Sequence, residues 1–254
     1  MSREHLLKAL GKGIRYDGRK LTEYRKITVE YGASESAEGS AKVSFGDTEL
    51  IAGVKLGVET PYSDTPDQGN LMVNVELLPL SSPMYEPGPP GEEAIELARV
   101  VDRGIRESKS IDTKNLCITP GEKAWGVIID ICSLNAAGGM FDAAGLAAIA
   151  AVKDAKFPAI DEHGAADYNT KTDKGLPLTR LPIAITVYMI GEHLLVDPLT
   201  EEEANTDGRL TLALVDDGAI CALQKGGEAP LTIATIGEMV KIAQEKSKEL
   251  RKHL

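Results

Sequence analysis

Two strand-like segments joined by only two residues constrain the fold more than any other feature of the sequence. SAKVSFG (40–46) and TELIAGVKLGV (48–58) are rich in β-branched and alternating residues, and Gly46-Asp47 between them suits a tight hairpin turn. Strands joined this closely must run antiparallel, because a parallel pair needs a crossover of a dozen residues or more. KITVEYG (26–32) precedes the hairpin, and LMVNVELL (71–78) follows it across a polar loop at 59–70. The frame is therefore a largely antiparallel sheet.

The rest of the chain adds helices to that frame. Residues 3–10 read as a short helix. PLSSPMYEPGPPG (79–91) is an ordered irregular loop, and EEAIELARVVDRGIRESK (92–109) is a helix with acids in its first turn and bases in its last, as the helix dipole favours. LCIT (116–119) and AWGVIIDICSL (124–134) are strands. Gly138-Gly139 then turns the chain into a small-residue helix at 141–155. Residues 157–182 are polar, carry Pro158, Gly164, Pro177 and Pro182, and are the best candidate for a boundary. Four strands (184–190, 194–197, 209–215 and 219–224) and a closing helix over roughly 232–253 complete the chain. This order argues for an α+β fold with helices on one face of each sheet. It divides into residues 1–182 and 183–254.

Charge and cysteine content narrow the function classes. With 28 Lys and Arg against 39 Asp and Glu, the chain carries a net charge of −11. A general coat for duplex DNA needs the opposite balance, so any nucleic-acid site must be a local basic patch or be shared with a partner. No stretch approaches 18 apolar residues, and the first twenty residues hold no long apolar run, so neither a membrane span nor a secretory signal is expected. The three cysteines (Cys117, Cys132 and Cys221) form no C-x-x-C pair, which fits reduced thiols in a cytoplasmic protein. The four histidines are scattered without ligand spacing, and no metal or other cofactor is expected.

Three constellations carry chemistry. On the 92–109 helix, Arg99, Arg103 and Arg106 fall within about 60° of one another, while Ala94, Leu97, Ala98, Val101 and Ile105 lie opposite. Such a row could grip successive phosphates, since a guanidinium offers paired donors to phosphate oxygens. It could equally be a solvated face stitched by Glu96–Arg99 and Asp102–Arg106. The second constellation is Asn135-Ala136-Ala137-Gly138-Gly139, whose free amides at a helix N-terminus suit an anion. Met140 and Phe141 follow, however, where a phosphate site would want Lys, Arg, Ser or Thr, and a plain tight turn is the competing reading. The third is the acidic run from Asp197 through Glu201, Glu202, Glu203 and Asp207 to Arg209. Clustered carboxylates can bind magnesium or move protons, and acidic loops between strands are also commonplace.

Together these segments resemble the RNase PH superfamily along nearly the whole chain. Ile14-Arg15-Tyr16-Asp17-Gly18-Arg19, followed by Tyr24-Arg25-Lys26-Ile27, is similar to that family's Arg-x-Asp-Gly-Arg entry, and Gly39-Ser40 with Phe45-Gly46-Asp47-Thr48 is similar to its first hairpin. The arginine helix, the glycine turn and the acidic loop follow in the family's order. The ELARVVDRGIR run and Leu195-Val196-Asp197-Pro198 with its glutamates most resemble the non-catalytic ring subunit of the archaeal exosome. The resemblance implies an RNase PH fold: an N-terminal domain like the second domain of ribosomal protein S5, and a smaller α/β C-terminal domain. It implies a six-membered ring in which the chain alternates 3:3 with a catalytic subunit, beneath RNA-binding cap subunits. Single-stranded RNA would thread the ring 3′ end first and be cut by inorganic phosphate.

Departures from the family pattern set the expected role. Catalytic members carry Asp-Gly-Gly-(Ser/Thr)-Arg at the turn, whose last two residues hold the attacking phosphate. Ala137, Met140 and Phe141 stand at the corresponding places here. Catalytic members also carry two aspartates six residues apart in the acidic loop, where this chain has Glu203 and Arg209. The resemblance thus implies no catalytic residues, with Arg99, Arg103 and, with less support, Arg106 as RNA contacts. The alternative is a phosphate-dependent 3′–5′ exoribonuclease in its own right, using a displaced carboxylate such as Asp207. A metabolite-binding enzyme built on the glycine turn is a third class, unsupported by any phosphate-binding side chain.

Overall fold

The computed structural model describes residues 2–160 and 166–254. Gly164, read above within the polar segment, and His163, one of the four histidines, lie outside the described residues. Two sheets and a hairpin organise the chain. The larger sheet has six strands: β1 (Ile27–Tyr31), β2 (Gly39–Phe45), β3 (Thr48–Glu59), β4 (Asn70–Glu76), β5 (Cys117–Thr119) and β6 (Lys123–Asn135). They lie in the order β1-β2-β3-β6-β4, with β5 pairing β6. The two-residue turn closes as expected, for Phe45 pairs with Thr48 across Gly46-Asp47. Alternation along β3 is strict: Thr48, Leu50, Ala52, Val54 and Leu56 are buried, while the residues between them are half-exposed. All pairings in this sheet are antiparallel except β4 with β6, which is parallel. That crossing leaves β4 at the edge.

The second sheet, β10-β9-β11-β12, comprises β9 (Ile183–Ile190), β10 (His193–Leu195), β11 (Gly208–Leu214) and β12 (Ile220–Gly227). Between the sheets lies α3 (Met140–Asp154), with thirteen of its fifteen residues buried. A helix that is apolar all round belongs inside a protein, and its alanines let β2, β3 and β9 approach closely. α2 (Glu92–Glu107) buries Ala94, Leu97, Val101 and Ile105 of the expected stripe and adds Val100 and Gly104, while Ala98 is half-buried. α5 (Ile233–Leu250) packs on β9 and β11, and its first turn is capped by Thr232, whose hydroxyl accepts from the Thr235 amide at 3.1 Å. The first helix, α1 (Arg3–Leu10), crosses to the other end of the sequence. Its Leu6 and Leu10 form a separate apolar cluster with Tyr188, Ile190 and Leu195 of the second sheet.

Two expectations need correcting. The polar 157–182 segment is not all connector: β7 (Lys156–Ile160) and β8 (Ala166–Gly175) form an antiparallel hairpin. Its anchor is small. Phe157 packs on Trp125 with ring centroids 5.2 Å apart, and Lys174 covers the Phe157 ring at 5.4 Å. The second correction concerns the acidic loop, which contains a single helical turn, α4 (Thr200–Glu203), whose Glu202 is fully buried.

Candidate functional site: a filled glycine turn and an arginine groove

β6 and α3 meet at Gly138-Gly139, where both glycines have positive φ, 84° and 67°. The turn requires glycine for proximity as well as for φ. A Cβ on Gly138 would stand 2.4 Å from the Pro198 carbonyl oxygen, and one on Gly139 would stand 2.6 Å from Asp197 Oδ1. The acidic segment is therefore pressed onto the helix N-terminus.

Arginines of the opening segment hold it there. Asp197 is buried. It accepts from Arg19 Nη1 at 2.8 Å, from the Arg25 amide at 2.8 Å and from Arg25 Nη2 at 2.6 Å. Arg25 also donates to the carbonyls of Ala137 and Gly138, both at 2.9 Å, which clamps the turn from outside. Arg15 is wholly buried against Glu202, in a two-pronged pair whose second prong is an Arg15 Nε–Glu202 Oε1 bond of 2.9 Å. Its remaining donors reach the carbonyls of Val196 and Asp197. The Arg15-x-Asp17-Gly18-Arg19 opening and the acidic run are thus partners across nearly the whole chain.

Glu203 completes the filling. Burial raises its pKa, partly offset by hydrogen bonds from the Tyr188 hydroxyl and the Gly139 amide, the first measuring 3.1 Å. A carboxylate of the chain itself therefore lies at the helix N-terminus, where an anion would otherwise be welcome. Nearby, the two departures from the family pattern touch one another. The Arg209 guanidinium lies over the Phe141 ring, 4.6 Å from its centroid, and bonds Glu96 of α2 at 2.5 Å. Such a stack satisfies the cation on an aromatic face. Met140 and Phe141 are themselves buried; a thioether and a phenyl ring cannot neutralise a phosphate dianion. Asp207 points elsewhere: it accepts from both Arg3 Nη2 (2.6 and 2.8 Å) and the Gly191 amide (2.7 Å), which lower its pKa. The acidic run holds no idle pair of carboxylates, and among the described residues no cluster of three His, Cys, Asp or Glu is arranged for a metal.

The arginine row on α2 is a different environment. The β4 edge and α2 border a groove of about 730 Å³, lined among others by Tyr62, Met72, Asn74, Arg99, Arg103 and Arg106. The row divides. Arg106 is engaged with Asp102, through bonds of 2.6 and 3.0 Å, and with the Leu71 carbonyl at 3.0 Å; the Asp102 bond raises its pKa. This half of the expected stitching is present. The other half is absent, because Glu96 faces Arg209 rather than Arg99. Arg99 and Arg103 are exposed. Among the described residues no hydrogen bond or ion pair engages either of them. Their guanidinium groups, one helical turn apart, can hold neighbouring anionic oxygens. Sequence periodicity located this row, but the Arg209–Phe141 stack, Glu203 at the turn and Tyr62 at the groove carried no spacing signal.

The comparisons agree with this layout. Residues 23–158 match the model of RNase PH, 3′ exoribonuclease family, domain 1, and residues 180–246 match domain 2 of the same family. "Exosome complex component Rrp42" of Methanocella arvoryzae is 43% identical, covering 100% of this chain and 95% of the relative. The protein of that name from Sulfurisphaera tokodaii is 43% identical, covering 100% and 93%. Among solved structures, a chain of the "archaeoglobus fulgidus exosome with RNA bound to the active site" superposes with a TM-score of 0.91 at 43% identity, covering 98% of this chain and 96% of that one. A chain of an "Archaeal exosome core" superposes at 0.87 with 40% identity, covering 98% and 94%. No helix among the described residues is long and apolar enough to cross a membrane. Both halves of the chain, with the hairpin frame, the arginine helix, the glycine turn and the acidic run in order, thus belong to the RNase PH, or 3′ exoribonuclease, family.

Proposed function

We propose that this chain is a non-catalytic ring subunit of an archaeal exosome, lending scaffold and RNA-gripping arginines to a catalytic RNase PH-like partner. The relatives' shared name and the full-length superposition on exosome chains support the ring-subunit reading. The observation that carries the non-catalytic reading is the filled turn. Glu203 and Asp197 lie against the α3 N-terminus, and the Arg209–Phe141 stack stands where the family's phosphate-holding groups would be. An incoming phosphate dianion would meet two carboxylates, with no free cation to offset them. The reading includes a 3:3 alternating hexamer, RNA-binding caps, a cytoplasmic setting, and a domain division at 182/183. The alternative of an independent exoribonuclease through Asp207 is not favoured, since Arg3 and the Gly191 amide already hold that carboxylate.

Arg99 and Arg103 are the RNA contacts of this reading, supported by their exposure and lack of internal partners; Arg106 is a weaker candidate because Asp102 and Leu71 hold it. Contacts to phosphate carry no base information. The test uses RNA and inorganic phosphate with the pure chain, and then with the ring formed with the catalytic subunit. The pure chain should release no nucleoside diphosphate, and the ring should. In the ring, Arg99→Ala/Arg103→Ala should weaken binding of all sequences alike and reduce the salt slope by about 1.4, at roughly 0.7 per phosphate on a single strand. Phosphate affinity, supplied by the partner, should not move. Phosphorolysis by a clean preparation of the chain alone would overturn the non-catalytic reading. Unchanged affinity and salt slope in the arginine variant would return these residues to a solvated helix face.

A further inference from the structure

Resting on the reading of α2 as an RNA-facing helix, we infer that Tyr62 is the stacking platform for one base of the RNA whose phosphates Arg99 and Arg103 hold. Tyr62 lies on the loop between β3 and β4 and is 57% exposed, although the preceding Pro61 is buried. It lines the same groove as the two arginines, near Arg106. Among the described residues its hydroxyl has no hydrogen-bond partner and its ring packs on no other aromatic. The face of the ring is therefore free to be covered by a ligand in the groove.

The support beneath it is stiff. The Thr65 amide donates to the Tyr62 carbonyl at 3.0 Å, the Gly69 amide to Thr113 at 2.8 Å, and the Gly121 amide to Pro66 at 2.8 Å. Thr113 Oγ1 adds a 2.9 Å bond to Gln68. A braced loop loses little freedom when its ring is covered, so more of the contact energy appears as affinity. Charge in the groove sets the direction of the strand. Glu76 and Asp130 line the sheet side, and Asn74 is bound to Asp130 at 2.9 Å, so phosphates are repelled from that wall and drawn to Arg99 and Arg103 on α2. The bases are left free of the guanidinium groups, where the Tyr62 ring that lines the same groove can cover one of them. Stacking on an aromatic face is tolerant of base identity, which suits a strand gripped by its phosphates.

The test uses the ring assembled with the catalytic subunit, with ring size checked by light scattering, and an oligouridine carrying a single abasic ribose at successive positions. Tyr62→Ala should weaken binding of the intact oligomer roughly tenfold with no change in salt slope, and Tyr62→Phe should bind like the unsubstituted ring. One abasic position should weaken binding to the unsubstituted ring by a similar factor, and cost nothing further in Tyr62→Ala. Equal affinity of Tyr62→Ala and the unsubstituted ring would overturn the inference, as would an abasic penalty that persists undiminished in Tyr62→Ala. Arg99→Ala/Arg103→Ala measured alongside reads the parent proposal separately. It should lower the salt slope, and an unmoved slope beside a weakened Tyr62→Ala would sink the arginine grip while leaving the stack.

Discussion

Two groups of arginines in this molecule have opposite fates. Arg15, Arg19 and Arg25 are spent internally, each on a buried acid or a backbone carbonyl of the glycine turn. Arg99 and Arg103 are spent on nothing in the described chain and face a groove. Residue type alone does not distinguish them. What does is whether the fold supplies the counter-charge, for a buried guanidinium must be paired at once, whereas a solvated one can wait for a ligand. The first group therefore reads as architecture and the second as interaction surface. It follows that the two groups should respond oppositely to substitution, in stability on one side and in RNA affinity on the other.

The largest effect is expected at Arg15. Both its side chain and that of Glu202 are fully buried, so Arg15→Met strands a carboxylate and two carbonyls. Removing one partner of such a pair costs about 3–5 kcal/mol, readable as a lower urea midpoint. Arg15→Met/Glu202→Leu should recover much of that loss, because it removes the stranded charge. A single variant as stable as the unsubstituted chain would erase the distinction between the groups.

An effect smaller at each pH step, and spread over several units, is expected from titration. Asp142 is buried beneath the glycine turn, with the Tyr24 hydroxyl donating to it at 2.6 Å and the Thr186 amide at 2.7 Å. Burial dominates those bonds and pushes its pKa from 3.8 up to about 7. Between those values the folded chain holds a proton that the unfolded chain has released. Stability from this group is therefore fully present below the unfolded value and declines as pH rises towards 7. Asp142→Asn mimics the protonated form and should flatten that decline by about 1 kcal/mol per pH unit. Glu203 shifts in the same direction, and Asp17 and Asp207 in the other, but all three are present in both proteins, so the difference isolates Asp142. Parallel urea midpoints from pH 4 to 7 would refute it.

The smallest effect is expected at the second group. Arg99→Ala/Arg103→Ala should change unfolding stability by no more than about 0.5 kcal/mol, as surface substitutions without partners do. A loss of several kcal/mol on thermal unfolding would show that these side chains are structural, and the contrast would collapse.

What the sequence disclosed follows from how local each signal is. The β2–β3 hairpin was legible because two turn residues and strict alternation lie within twenty positions, and the arginine row because a helix repeats every 3.6 residues. Helical spacing offers Arg99 as a partner for Glu96 for the same reason, but Arg209 arrives from β11 and takes the carboxylate. Arg15 with Glu202 lies beyond any spacing rule. The β7–β8 hairpin was missed because Phe157 is the one large apolar side chain buried in it among the described residues, too little for a periodic pattern. Tyr62 looked like one residue of a polar loop until β4 and α2 put it at the mouth of a groove.

The pairing of the opening segment with the acidic run has a consequence for synthesis. Arg15 and Glu202 are 187 positions apart, and α1 rests on strands that follow residue 182. At 5–20 residues per second, roughly 10–40 s separate the translation of Arg15 from that of its partner. Throughout that interval α1, Arg15 and Arg19 lack the partners they have in the folded chain. That segment therefore stays unpaired while the larger sheet is being built, exposed to chaperones and proteases for the whole of that time.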